Sequence, residues 1–177
     1  MTSLDSVDDV FVVLARSRQD DDGEAVDLLA HSLQCAQLLM KTAPDDVELQ
    51  VAGLLHDLGT MLDPGRPDTH ARTGADAIAP LLGARVSALV GGHDHAKRYL
   101  VARDDAYRAR LSEMSVATLA LQGGDMTSSE MSAFESSEHF DSLVRLRRAD
   151  DAAKVPGRSV PGLDEWRARV EQVAARS

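Results

Sequence analysis

The sequence predicts an all-α fold, a bundle of amphipathic helices, and three features carry that expectation. Hydrophobic residues make up 44% of the 177 residues but aromatics only 3%, so the core must be Leu, Val, Ala and Met, which favours helices over sheets. Apolar residues recur at intervals of three and four along most of the chain. No stretch alternates apolar and polar residues as a half-buried strand does, and there is no internal repeat.

The elements follow in order. Val7, Val10, Phe11 and Leu14 mark a first helix that Asp5 or Ser6 can cap. Gln19 to Gly23 is a polar, acidic break. A second helix is expected from about Glu24 to Ala43, with Val26, Leu29, Leu33 and Met40 inward, His31 near that stripe and Pro44 after its end. Asp45-x-x-Glu48 resembles a capping box opening a third helix. That helix runs through Val51 to Leu55 and ends in His56 and Asp57, with Gly59 as its expected stop. Thr60 to Asp68 reads as a loop. A helix from His70 to Leu82 is closed by Gly83, and another from Arg85 to Leu100 is interrupted or strained at Gly91-Gly92. Ser112 can cap a helix through Leu121, followed by Gln122-Gly123-Gly124. Ser128 or Ser129 opens a short helical turn, and a longer helix spans about Glu138 to Ala153 with Leu143 and Leu146 inward. After a linker, Gly157 to Gly162, a last amphipathic helix covers Leu163 to Ala175 with Trp166 and Val170. The length suits one domain, 1–177, with a core of about 23–154.

Composition narrows the function classes. A formal net charge of −10 argues against a nucleic-acid backbone or an anionic membrane as main partner, while leaving room for a local basic cluster around a small anion. Cys35 is the only cysteine, which excludes an internal disulfide and a thiolate zinc cage and reads as a packed, inert thiol. The acidic N-terminus shows no signal-peptide pattern, and the longest apolar run, Val10 to Ala15, is too short to cross a bilayer. The expectation is a cytoplasmic protein.

His31, His56, Asp57, His70, His93 and Asp150 fall on five different predicted helices or helix ends, and a compact bundle can aim such residues at one centre. Singly, each has a plain structural role: a core histidine for His31, a surface helix start for His70, an ion pair with Arg147 or Arg148 for Asp150. Together they form a mixed nitrogen and oxygen set suited to iron, manganese, cobalt or zinc, among which the residues do not choose. Asp57 has two oxygens and can bridge two metals, and six ligands over two metals leave positions open for chemistry.

The order His…His-Asp…His…His…Asp resembles the HD-domain superfamily, and an HD-type helical bundle is the fold that this implies. Longer stretches resemble the mixed-valence di-iron oxygenases of the PhnZ/TmpB type, which cleave the C–P bond of 1-hydroxyphosphonates. The matching residues are Gly23-Glu24, His31 to Ala36, Leu54 to Gly59, His70 with Gly74-Ala75, and His93-x-x-x-Lys97-Arg-Tyr-Leu100. They continue with Leu111-Ser112, Ser115, Gln122-Gly-Gly124, Glu130, Phe134-Glu135 and Leu146-Arg-Arg-x-Asp-Asp151. The resemblance implies that His31, His56, Asp57 and Asp150 hold one iron, and that Asp57, His70 and His93 hold the other. The pair would work as Fe(II)/Fe(III) with O2 as co-substrate. Lys97, Arg147 and Ser115, with Gln122, would cradle the phosphonate, as two cations plus hydroxyl and amide donors suit a tetrahedral dianion. The products implied are phosphate and a carboxylic acid, from a substrate such as 2-amino-1-hydroxyethylphosphonate or its N-methylated analogue.

Two positions depart from the family pattern. Asp21 stands where the relatives carry a Tyr, three residues before Glu24, and Thr60 stands where they often carry a His. Asp21 could ligate iron, attract a substrate ammonium, or be a solvated loop residue. Glu24 would face an amine on the substrate, and both count as candidate catalytic residues with Asp57. Thr60 and Glu24 join the substrate-binding candidates. The expected partners are a small organophosphonate, no nucleic acid and no membrane, with the chain a monomer or small homo-oligomer. The alternative function is an HD-type metal-dependent phosphohydrolase acting on a small phosphate ester.

Overall fold

A computed structural model of the chain describes residues 4–19 and 25–177, and among these residues every regular element is helical. The α-helices are α1 (Val7–Arg16), α2 (Leu28–Thr42), α3 (Val47–Leu55), α4 (Leu58–Leu62), α5 (His70–Arg103), α6 (Asp105–Arg108), α7 (Glu113–Leu121), α8 (Ser128–Glu135), α9 (Phe140–Ala152) and α10 (Arg167–Ala174). The expected all-α HD-type bundle is what the chain forms.

The middle of the bundle is α3, which packs against α2, α5, α9 and α10. Its sequence, VELQVAGLL, has no polar stripe beyond its first turn, and Leu49 through Leu55 are all buried. A helix surrounded on every side needs no amphipathic face. Leu54, Leu55 and Leu58 are wholly inaccessible to solvent, each worth roughly 1.5–3 kcal/mol of burial. The His56-Asp57 pair therefore sits at the end of the most enclosed element.

Several boundaries differ from expectation, each for a local reason. Ser6 is the side chain that caps α1, accepting from the Asp9 amide. Helix α2 starts at Leu28, capped by Asp27, so Val26 precedes the helix instead of lining it. Asp46, not Asp45, caps α3 by accepting from Leu49 N. Thr127 forms the capping box of α8 with Glu130, one residue before the expected serines.

The glycines correct the reading most. Gly59 does not stop a helix: the chain bends at Asp57 and Gly59 lies inside α4, with its Cα against the first turn of α5. A Cβ there would fall 1.8 Å from the carbonyl oxygen of His70. Gly83 is the true break, at φ 78 and ψ 175, so α5 is two limbs, 70–82 and 84–103, joined at a kink. Gly91 and Gly92 interrupt nothing. The second limb runs straight through them, and the bare face of Gly92 receives Leu143 of α9, whose Cδ2 would lie 2.9 Å from an added Cβ.

By length and composition α5 alone is apolar enough to cross a membrane, among the described residues. Its second limb nevertheless buries His93, Lys97 and Arg98 inside the bundle. Arg98, the next residue after Lys97, is buried as well. It donates to Gly124 O at 2.8 Å and Glu130 Oε1 at 2.7 Å, tying the Gln-Gly-Gly turn and the start of α8 to α5.

Candidate metal centre and anion pocket

Five elements deliver the candidate ligands. His31 is in the first turns of α2, His56 directly follows α3, His70 opens α5, His93 is midway along its second limb, and Asp150 is near the end of α9. Asp57 has φ −97 and ψ 13, the sparsely populated bridge region where a chain leaves one helix and enters another. All four imidazoles are buried.

Each of these histidines turns its Nδ1 to a backbone carbonyl: His31 to Ala153 at 3.2 Å, His56 to Gly53 at 2.9 Å, His70 to Pro67 at 2.9 Å and His93 to Val90 at 2.7 Å. A carbonyl only accepts, so every Nδ1 carries a proton and every Nε2 is left for another partner. The Nε2 atoms face one another, 3.0 Å apart for His31 and His56 and 3.0 Å apart for His70 and His93. Facing lone pairs repel unless a cation lies among them.

The carboxylates complete two clusters. Asp57 Oδ2 lies 3.4 Å from His31 Nε2 and 3.2 Å from His56 Nε2, while Asp150 Oδ1 lies 3.2 and 3.7 Å from the same atoms. Asp57 Oδ1 instead lies 3.6 Å from His70 Nε2 and 3.8 Å from His93 Nε2. Donors about 2.1 Å from one ion stand about 3.0 Å apart at right angles and about 3.4 Å apart at tetrahedral angles. The observed spacings, from 3.0 to 3.8 Å, reach these values or stand a few tenths of an ångström beyond them, so both groups can hold a metal ion, with one oxygen of Asp57 directed to each.

The electrostatics point the same way. Burial opposes charge on His31, yet Asp150 and Asp57 outweigh it and raise its pKa to about 9. His56, also opposed by burial, is raised well above its ordinary value, with Asp57 the leading cause. His93 is pushed down to about 4 by burial and by His70 and His56. The carboxylate-rich cluster thus draws positive charge, which metal ions supply by displacing protons.

Above the ligands lies a half-open cavity of about 70 Å³. Lys97, Ser115, Gln122 and Arg147, the residues that the resemblance implies for the phosphonate, line it, and so do Asp94, Thr118 and Lys154, which the sequence analysis did not single out. Thr118 had a visible signal, since Ser115, Thr118 and Gln122 share one face of α7 and its end at spacings of three and four. Thr60 lies in α4 and is not among the residues that line the cavity. Asp21 and Glu24 fall outside the described residues.

Lys97 is buried, with Nζ 2.8 Å from Thr118 Oγ1 and 3.4 Å from the Ser115 carbonyl. No carboxylate pairs with it among the described residues. Burial, aided by Arg147, lowers its pKa to about 8. Arg147 is different: it pairs with Asp150 at 2.8 Å and with Asp151, and burial alone does not offset those carboxylates. Gln122 Oε1 is buried without a partner among the described residues. Cys35, packed in the core, has its thiol pushed up to about 12 by burial and is inert.

Comparison with known proteins agrees with this geometry. The HD domain family matches residues 28–125, more than half of the chain and the span that carries four of the ligand histidines and Asp57. The chain belongs to the HD-domain family. Over 99% of its length it is 35% identical to hydroxymethylphosphonate dioxygenase of Gimesia maris, covering 92% of that protein. Over 81% of its length it is 32% identical to the glycine-betaine-forming 1-hydroxy-2-(trimethylamino)ethyl phosphonate dioxygenase of Leisingera caerulea, covering 76% of it. An uncharacterised protein of Acanthamoeba polyphaga mimivirus is 31% identical over 82% of the chain and is covered over 70% of its own length. This HD-domain chain is thus related to phosphonate dioxygenases and carries two clusters able to chelate metal.

Proposed function

We propose that this HD-domain protein is an O2-dependent di-iron oxygenase that cleaves the C–P bond of a small 1-hydroxyphosphonate, yielding phosphate and a carboxylic acid. The observation that carries the reading is Asp57, whose two oxygens are shared between two histidine clusters beneath a cationic pocket. The dioxygenase relatives supply the reaction class.

In this reading His31, His56, Asp57 and Asp150 hold one iron, and Asp57, His70 and His93 hold the other. The irons, as Fe(II)/Fe(III), supply O2 activation and the redox change. Balance requires one O2 for each phosphate: the C–P bond breaks, the carbon is oxidised to a carboxylic acid, and both oxygen atoms enter the products. The chain's own part is positioning and charge. Lys97, held against Thr118 and without a carboxylate partner among the described residues, binds the phosphonate, and the incoming dianion restores its full charge. Ser115 presents its hydroxyl to the same oxygens, while Thr118 Oγ1, which donates to the Met114 carbonyl at 3.0 Å, accepts from Lys97 and holds the ammonium in place. The unpartnered Gln122 Oε1 accepts from the substrate's hydroxyl. Arg147 adds positive field behind the Ser115 hydroxyl, at 3.3 Å. The cavity's small volume suits a compact substrate, and Asp21 and Glu24 are proposed to contact its second substituent.

Iron analysis and low-temperature EPR of the purified protein test the reading. About two irons per chain, with a mixed-valence signal that changes on adding hydroxymethylphosphonate or 2-amino-1-hydroxyethylphosphonate, is the expected result. Zinc or manganese without iron, in protein grown with iron supplied, overturns it in favour of an HD phosphohydrolase.

A further inference from the structure

We infer that Tyr107 and Asp151 are positioning residues, which fix how Asp150 meets its metal by immobilising Arg147. The inference rests on the dimetal reading above. Asp150 uses its two oxygens differently: Oδ1 faces His31 Nε2 and His56 Nε2, whereas Oδ2 accepts from Arg147 Nη1 at 2.8 Å. Arg147 is buried and all its nitrogens are engaged. Its Nε donates to the Tyr107 hydroxyl at 3.0 Å, and its Nη2 donates to Ser115 Oγ and to Asp151 Oδ1. The ring then closes, because the Tyr107 hydroxyl donates to Asp151 Oδ2 at 2.7 Å.

A planar guanidinium held along its Nε edge and at both terminal nitrogens cannot rotate. Pinned in this way, it withholds Oδ2 of Asp150 from the cluster and leaves Asp150 a one-oxygen ligand. Released, Asp150 could turn both oxygens inward and occupy a position that a substrate or O2 needs. The adjacent carboxylates in Arg147-Arg148-Ala149-Asp150-Asp151 therefore divide the work, the first facing the metal and the second facing the brace. Tyr107 reaches it from α6, a four-residue helix with no other buried side chain.

The hydroxyl and the carboxylate can each be removed with little change of shape, by Tyr107→Phe and Asp151→Asn. The full-length chain, stripped of metal, is titrated with Co(II) against a competing chelator while its visible spectrum is recorded. Wild type is expected to bind two Co(II). Each variant should weaken one site by about tenfold or more and alter that ion's spectrum, leaving the other site's constant unchanged. Wild-type constants and spectra in both variants overturn the inference, as does equal weakening of both sites with a lowered melting temperature, which signals lost packing. A wild-type chain that binds no Co(II) overturns the dimetal reading itself.

Discussion

Replacing Gly59 by Ala probes the joint between the fold and the centre. A Cβ at Gly59 falls 1.8 Å from the His70 carbonyl oxygen, 2.6 Å from its carbon and 2.8 Å from Gly74 N, whereas ordinary contact begins at 3.4 Å. All three atoms are backbone, so no rotamer change relieves the overlap. The first turn of α5 must retreat from α4 by about 1.6 Å, well beyond what a packed interface absorbs freely, and a cost of about 3 kcal/mol or more follows. For a chain of this size, that lowers the melting temperature by roughly 6–12 °C. The displaced turn carries His70, whose Nε2 is 3.0 Å from His93 Nε2, so the three-ligand cluster should lose its ion first. Calorimetry and metal analysis on one preparation read both effects. A Gly59→Ala protein that melts within about 2 °C of wild type and keeps two metals would refute the reasoning.

Three other outcomes are expected. Asp57→Ala removes the one donor among the described residues that faces both clusters, so bound metal should fall from two ions to at most one and activity should vanish; full metal content by elemental analysis contradicts the bridge. Lys97→Ala should raise the apparent KM for the phosphonate by about ten- to hundredfold with metal content unchanged, and steady-state kinetics that show an unaltered KM would remove Lys97 from the anion site. Asp46 is held below its ordinary pKa by hydrogen bonding to Arg85, at 2.7 Å, against the opposing pull of burial. A depressed carboxylate stabilises the fold above its unfolded pKa and loses that contribution as pH falls through the folded value. Wild type should thus exceed Asp46→Asn in denaturant stability at pH 7, with the gap closing below about pH 4.

Much of this was legible because helical spacing survives tertiary packing. The caps at Ser6 and Ser112, the inward Leu143 and Leu146, the break at Gly83 and the buried Trp166 and Val170 are all local consequences of the sequence. The six ligand candidates were legible as a set, because few apolar helices carry His and Asp at their ends without cause. What the chain cannot announce is which surface approaches which. Gly59 and Gly92 look like breaks in one dimension and prove to be contact points for α5 and α9 in three. Arg98 looks solvated until Gly124 and Glu130 are folded over it. Thr60 lies near Asp57 in sequence, yet in α4 it is not among the residues that line the cavity, and Tyr107 gives no sign of its contact until α6 sets it against Arg147.

The proposed oxygenation of a 1-hydroxyphosphonate is decided by phosphate release from iron-loaded protein, with and without O2. Hydroxymethylphosphonate, 2-amino-1-hydroxyethylphosphonate and its N-methylated analogues would be compared with a small phosphate ester. Phosphate is expected from at least one hydroxyphosphonate only when O2 is present, in equal amount to the O2 consumed. Phosphate released at an undiminished rate without O2, from the ester and not from the phosphonates, would contradict this and make the same six ligand residues a hydrolase centre.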